Sequence, residues 1–110
     1  KKSLGDIDWT MDGAAIERLI RGLNPWPSAY TSLHGKTLKI WDADVTDREY
    51  GVEPGTVAEV SKDQLIIQTG KGSLSVRSLQ LEGKKRMDIQ DFLRGYSLEK
   101  GTVLERRAAK

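Results

Sequence analysis

Short polar turns between strand-like segments are the feature that most constrains the fold of this 110-residue chain. From Ala29 onward the sequence is rich in Thr, Tyr, Ile, Trp and Val, a composition typical of β-strands. Turns of two or three residues connect antiparallel neighbours, since a parallel crossover needs a dozen residues or more. The sequence therefore predicts antiparallel hairpins, with turns at His34-Gly35, Lys62-Asp63 and Gly70-Lys71-Gly72.

Two of the predicted strands contain a change of parity, at which the apolar residues move from one side of the strand to the other. In the last strand the change lies near Arg77 and Ser78, and in the second it falls after Ile40. One extra residue produces such a change, and the resulting β-bulge bends the strand as closure of a barrel requires. The predicted strands cover residues 29–33, 36–45, 56–61, 64–69 and 73–81.

Helical periodicity lies at the two ends of this β-rich region. A helix is predicted over 12–22, with Thr10 or Asp12 as its N-cap, and a shorter one after Asp88, ending at Gly95. We therefore expect a mainly β protein with flanking α-helices, folded as a small antiparallel Greek-key open barrel of the OB-like type. The apolar positions of the two helices are Ile16, Leu19, Ile20, Leu23, Ile89, Phe92, Leu93 and Tyr96.

The segment Asn24-Pro25-Trp26-Pro27 ends the first helix. Its two prolines restrict the backbone on either side of the tryptophan and remove two N–H donors. This predicts a rigid corner with an indole ring to bury, and we assign Trp9 and Trp41 to core packing as well. The polar loop 46–55 is expected to be mobile.

Charge is unevenly distributed, although the net charge is only +2, from 18 Lys and Arg against 16 Asp and Glu. Seven acidic and two basic residues lie between Trp41 and Asp63, so the rest of the chain holds the positive excess. This predicts one acidic and one basic face, with a solvated surface of mixed charge as the alternative. The chain has no Cys, which excludes disulfides and thiolate sites, and no run of about 18 apolar residues for a membrane span.

The residue types that small enzymes use for catalysis are sparse. The only histidine, His34, lies in a predicted turn and is interpreted as solvent-exposed, and one imidazole without Cys does not form a zinc site. Asp6 with Asp8, and Asp42 with Asp44, are pairs of acids that lack a partner base, so we interpret them as solvated carboxylates. We predict no catalytic, cofactor-binding or metal-binding residue in this chain.

Basic residues supply the binding hypothesis. Three cations in succession precede the second helix, and the few aromatic residues are mostly predicted to be internal. Such a cluster would recognise the backbone and shape of a structured RNA rather than single bases, with a solvated charge run as the competing interpretation. The candidate RNA-binding residues are Lys84, Lys85 and Arg86, with Lys36, Lys39, Lys71 and Arg77 as weaker additions.

Several motifs follow one another along the chain in a distinctive order. They are Ile7-Asp8-Trp9, the segment 20–31 around Asn24-Pro25-Trp26-Pro27, Leu38-Lys39-Ile40-Trp41, Pro54-Gly55-Thr56-Val57, Thr69-Gly70-Lys71-Gly72, Glu82-Gly83-Lys84-Lys85-Arg86-Met87 and Phe92-Leu93-Arg94-Gly95. This series resembles the C-terminal domain of the methionyl-tRNA formyltransferase family over about residues 5–101. Ser28 stands where that family often has Gly.

The resemblance implies an OB-like barrel and a parent enzyme that transfers a formyl group from 10-formyltetrahydrofolate to the amino group of methionine on initiator tRNA. The family's catalytic residues and folate site belong to an N-terminal domain, so this chain alone is expected to be inactive and to hold no cofactor. The family's C-terminal domain helps to hold tRNA through a positively charged surface. The expected partners are therefore initiator methionyl-tRNA and the N-terminal catalytic domain.

The resemblance also implies limits for the domain. Residues 1–9 correspond to the end of an interdomain linker, 10–104 to the barrel and 105–110 to a frayed tail. We expect a cytoplasmic monomer without membrane contact. The alternative function is the barrel of a related folate-dependent formyltransferase or formyltetrahydrofolate hydrolase that does not bind RNA, and a stand-alone RNA-binding protein is a third reading.

Overall fold

The computed structural model describes residues 4–105 and shows an antiparallel sheet with two helices. The elements and their order are those predicted from the sequence, with the two-residue strand β6 as an addition. In chain order they are α1 (Gly13–Leu23), β1 (Ala29–Leu33), β2 (Lys36–Thr46), β3 (Val57–Val60), β4 (Leu65–Gln68), β5 (Ser73–Leu81), β6 (Met87–Asp88) and α2 (Ile89–Gly95).

The sheet has the strand order β1-β2-β5-β4-β3, with β6 paired to the end of β5. Strands β3, β4 and β5 follow one another as hairpins, whereas β2 reaches its place beside β5 through the long loop before β3. Three hairpin-connected strands with a fourth returned beside them by a long connection form a Greek key. The predicted mainly β, Greek-key architecture is therefore confirmed.

The last described residues close the barrel. On one side, the Val57 N–H of β3 donates to the Thr102 carbonyl over 2.7 Å. On the other side, Ser32 of β1 and Glu105 exchange both backbone hydrogen bonds, at 2.8 and 3.1 Å. Because β1 and β3 are the two edges of the sheet, this segment joins them. Glu105 thus belongs to the barrel rather than to a frayed tail, and the rest of the predicted tail lies outside the described residues.

The two predicted bulges face each other across β2 and β5. Trp41 in β2 and Arg77 in β5 have no partner in the register, so each strand carries one extra residue at the same level of the sheet. The irregularity explains both parity changes in the sequence and bends the two longest strands around the core. The flanking register pairs are Ile40 with Leu79, Asp42 with Ser78 and Ala43 with Val76.

The segment before α1 contributes directly to the core. Ile7 is fully buried and Trp9 is 3% exposed, and the Trp9 indole N–H donates to the Thr31 hydroxyl over 2.9 Å. Helix α1 packs against β2 and buries Ile16 and Ile20 in the same cluster. The described part of the predicted linker is therefore part of the domain, because it carries two of the core side chains.

The corner between α1 and β1 is attached to the barrel by a polar side chain and not by the indole. The Asn24 side-chain amide donates to the Ile20 carbonyl over 2.8 Å and lies 3.2 Å from the Trp41 carbonyl, which ties the corner to both α1 and β2. The ring of Trp26, by contrast, is 84% exposed. The prediction that Trp26 packs in the core is therefore wrong, and the Asn24 amide is the side chain that joins the corner to the barrel.

The polar loop predicted to be mobile is held by side-chain hydrogen bonds at its centre. The buried Gln68 accepts from the Tyr50 N–H over 2.8 Å and donates to Glu49 over 2.8 Å. The other Glu49 oxygen accepts from the Gly72 N–H over 2.6 Å. This network joins the loop to β4 and to the turn that precedes β5.

The network predicts an acid-dependent loss of stability. The Gly72 N–H, followed by the Gln68 amide, holds the pKa of Glu49 below its ordinary value. A lowered pKa in the folded state means that the carboxylate stabilises the fold above its ordinary pKa, and that this contribution disappears as the pH falls through the lowered value. We expect Glu49→Gln to lower the melting temperature near neutral pH, and this difference from the wild type to become smaller as the pH falls below the ordinary carboxyl pKa.

The measurement is thermal unfolding between about pH 7 and pH 3, with Glu53→Gln on the same loop as the control. Glu53 is exposed, and its side chain takes no part in the Gln68 network. If Glu49→Gln lowers the melting temperature by the same amount at both ends of this pH range, the carboxylate of Glu49 does not stabilise the fold in the way described.

Candidate nucleic-acid interface

The loop between β5 and β6 presents three cations to solvent. Lys84, Lys85 and Arg86 are all exposed, and the start of the loop is held where the Glu82 N–H donates to the Thr37 carbonyl of β2 over 2.8 Å. Within residues 4–105, none of the three cations lies within ion-pair distance of an acidic side chain. Their charge is therefore available to an anionic ligand.

Arg86 is placed on the outer face of the sheet by stacking. Its guanidinium carbon lies 4.8 Å from the centre of the Trp41 ring, within the range of a cation–π contact. The Trp41 indole N–H donates to the Gln80 side chain over 3.1 Å, and the Gln80 amide donates to the Lys84 carbonyl over 3.0 Å. The three side chains and the loop backbone thus form one connected platform.

Trp41 and Gln80 are the members of this platform that sequence reasoning missed. Trp41 was assigned to the core, but it is half-buried and lies on the outer face, beneath Arg86. Trp41 is the extra residue of the β2 bulge. At this bulge the side chains of Trp41 and Asp42 lie on the same side of the strand. The parity change after Ile40 was the signal that could have placed it there.

Two weaker candidates lie beside the platform. Lys39 pairs with Gln80 across β2 and β5, and it helps to line a cavity of about 240 Å³ against the start of the basic loop. Lys36 is exposed at the beginning of β2, next to the strand residue that binds Glu82. The five cations that the structure brings to this end of the barrel are Lys36, Lys39, Lys84, Lys85 and Arg86, and we call them the basic end.

The other two candidates lie elsewhere. Arg77, the extra residue of the β5 bulge, is exposed and binds Asp44 over 2.9 Å and Asp42 over 3.6 Å. Lys71 is in the turn before β5, at the opposite end of that strand from the basic loop. The outer face therefore divides at the bulge, with unpaired cations on one side and acids paired to Arg77 on the other.

The residues weighed for catalysis occupy structural positions. His34 is exposed in the β1–β2 turn, and its Nδ1 lies 2.7 Å from the Tyr96 hydroxyl. The Asp8 carboxylate accepts from the Thr10 N–H and hydroxyl, which forms the turn before α1. Among residues 4–105, no three His, Asp or Glu side chains are close enough to hold a metal ion. Neither described helix has the length and apolar character that crossing a membrane requires.

The fold and the surface together define a class, a small Greek-key barrel domain with a basic end. The sequence model described as "Formyl transferase, C-terminal domain" matches residues 1–97. The chain therefore belongs to the formyl transferase C-terminal domain family.

Similar proteins from several bacteria share one enzyme name, which is more specific than the name of the family. The methionyl-tRNA formyltransferase of Agathobacter rectalis is 56% identical over 101 residues, which cover 92% of this chain and 33% of that protein. The protein of the same name from Lachnospira eligens is 54% identical over 108 residues, covering 94% and 34%. The one from Geobacter metallireducens is 50% identical over 104 residues, covering 94% and 33%. The chain thus spans about a third of the length of these relatives.

Solved structures support the fold. A crystal structure of a HypX variant from Aquifex aeolicus superposes with a TM-score of 0.65 at 19% identity, and covers 90% of this chain and 19% of that one. HypX in complex with tetrahydrofolic acid gives a TM-score of 0.64, covering 97% and 21%. At this identity the likeness concerns the fold alone.

Proposed function

We propose that this chain is the tRNA-binding C-terminal domain of a methionyl-tRNA formyltransferase. The proposed parent transfers a formyl group from 10-formyltetrahydrofolate to the amino group of methionine on initiator tRNA, in the cytoplasm and as a monomer. Family membership and the names of the relatives support the parent enzyme. The observation that carries the RNA contact is the basic end, where Lys84, Lys85 and Arg86 are exposed and have no acidic partner among residues 4–105.

The basic end suits a phosphate backbone. Each lysine or arginine that neutralises a phosphate releases condensed counterions, which supplies affinity without reading a base. Stacking on Trp41 limits the freedom of Arg86 before binding, so less conformational entropy is lost when its N–H groups meet a phosphate. Lys39 extends the positive surface along β2. The domain would therefore hold the tRNA, and the formyl transfer itself would take place in the part of the parent that precedes it.

Salt dependence tests this proposal. The 110-residue chain is titrated with an initiator tRNA transcript between about 50 and 400 mM KCl, with an elongator tRNA in parallel. We expect the logarithm of the affinity to fall with the logarithm of the salt concentration, with a slope of about 2 to 4 for three to five phosphate contacts. We expect the two tRNAs to differ little, because backbone contacts carry no sequence information.

Absence of binding at the lowest salt, or an affinity that does not change with salt, would overturn the RNA contact. The barrel would then be an interaction module of the kind found in a formyltransferase that does not act on RNA.

Replacing Trp41 by leucine tests the platform. Leucine keeps an apolar cover over β2 but removes the ring beneath Arg86, a contact worth about 0.5–1 kcal/mol at an exposed site. We expect tRNA affinity to fall by about two- to fivefold, with little change in the melting temperature. Arg86→Ala in the Trp41→Leu background should then cost less affinity than it does alone. Additive effects of the two substitutions would show that the ring does not position the guanidinium.

A further inference from the structure

The rigid corner displays a tryptophan that the barrel does not use. Trp26 is 84% exposed, although the backbone on both sides of it is held in place. The Ser28 N–H donates to the Leu23 carbonyl over 2.9 Å, and the Ser28 hydroxyl donates to the Pro25 carbonyl over 3.1 Å. Tryptophan is one of the residue types in which binding hot spots are enriched.

The described chain enters the domain next to this corner. Asp6 pairs in parallel with Tyr30, so the residues before Asp6 run beside the start of β1 toward Ser28. The contact is close, because the Tyr30 N–H donates to the Gly5 carbonyl over 2.8 Å and a Cβ on Gly5 would collide with the Ser28 carbonyl. Leu4, the first described residue, is 52% exposed. The entry point of the chain therefore lies against Ser28, at the end of the corner.

We propose that Trp26 and Leu4 dock this domain onto the part of the parent enzyme that precedes it. The chain belongs to a family of C-terminal domains and spans about a third of its relatives, so about two thirds of each relative lies mostly before this region. That polypeptide enters the barrel at Leu4, which places the preceding part of the parent beside the corner. This inference rests on one part of the proposed function, that the chain is the C-terminal part of a longer enzyme. It does not depend on the proposed tRNA contact.

The charge of the corner favours a protein partner over an RNA base. Aromatic residues that stack on bases in RNA lie in positively charged grooves that follow the backbone. The stretch 24–28 is uncharged, and the cation at the end of α1, Arg21, is held by both oxygens of Glu17 at 2.9 and 3.0 Å. Five cations are gathered at the basic end instead. An uncharged indole surface suits the apolar centre of an interface between domains.

Hydroxyl-radical footprinting tests the proposal directly, because it reports the exposure of single side chains. The two-domain protein is the Agathobacter rectalis enzyme with its matching third replaced by this chain, which is 56% identical to it over 101 residues. We expect Trp26 to oxidise at least about fivefold more slowly in this protein than in the free 110-residue chain, as for a desolvated hot spot. Met11, 42% exposed near the turn before β5, is the internal control and should not change.

A substitution separates docking from RNA binding. Trp26→Ala should increase proteolytic cleavage between the domains of the two-domain protein by about tenfold, since cleavage follows the undocked population. Val103→Ala, at a valine that is 53% exposed, is the matched control. The tRNA affinity of the free Trp26→Ala chain should equal that of the wild type.

Equal oxidation of Trp26 in the two proteins would overturn the proposal. Loss of tRNA affinity in the free Trp26→Ala chain, with docking intact, would overturn it in favour of a stacking role on RNA. Protection of Trp26 in a protein whose free domain does not bind tRNA would refute the proposed RNA contact and leave the docking surface standing.

Discussion

Changing Lys84, Lys85 and Arg86 together to alanine is expected to weaken tRNA binding by the 110-residue chain at least tenfold at about 50 mM salt. Each cation that meets a phosphate contributes about 0.7–0.9 to the slope of log affinity against log salt, so the slope should fall by about 2 to 3. The effect should be large because these side chains are exposed and form no ion pair within the described part of the chain, so none has to break there before they bind.

The matched control removes the same charge elsewhere. Arg18, Lys62 and Lys100 are exposed, lie outside the basic end and are not among the candidate tRNA-binding residues. The variant with all three of these residues changed to alanine loses three positive charges. Its net charge therefore equals that of the loop variant, but its basic end is unchanged. We expect its salt slope to stay close to that of the wild type. Equal losses in the two triple variants would show that overall charge, and not this loop, governs binding.

The second large effect concerns stability. Trp9→Ala should lower the free energy of unfolding by about 3–5 kcal/mol, the usual cost of removing a large aromatic side chain from a core. Trp9 is 3% exposed, and its indole N–H is bonded to Thr31, which would be left without that partner. The measurement is urea unfolding followed by circular dichroism.

A chemically identical substitution supplies the control. Trp26→Ala removes the same side chain from a position that is 84% exposed, and should change the free energy of unfolding by less than about 0.5 kcal/mol. If Trp9→Ala does not fold, Trp9→Phe keeps most of the apolar contact and should retain a measurable transition. Equal destabilisation at the two positions would contradict the burial assigned to each.

The contrast between the tryptophans shows the limit of reasoning from the sequence. Each is a large apolar side chain, and the sequence analysis placed all three in the core. Whether a tryptophan side chain is buried depends on which segments from elsewhere in the chain pack against it. A local sequence pattern does not identify those segments. Only Trp9 lies in the core, whereas Trp41 lies on the outer face at its bulge and Trp26 is exposed on a corner that Asn24 holds to the sheet.

The candidate site was likewise predicted in part. The loop 84–86 could be identified from the sequence, because three successive cations after a glycine follow a strand and precede a helix. Arg77 was grouped with it by charge, but strand pairing sets Arg77 against Asp42 and Asp44. Gln80 is uncharged and gave no sequence signal for this surface. Its role follows from its hydrogen bonds, which link the Trp41 ring to the loop.

What the sequence by itself determined was the local framework of the molecule: the helices, the hairpin turns, both bulges and the Greek-key barrel. These depend on residue spacing, on turn chemistry and on a two-residue period, all of which act between near neighbours. The tertiary structure alone decided which side chains meet, including Arg86 over Trp41 and residues 101–105 across the barrel seam. Such meetings depend on the register between strands far apart in the chain, and a shift of one residue would reverse the face on which each side chain lies.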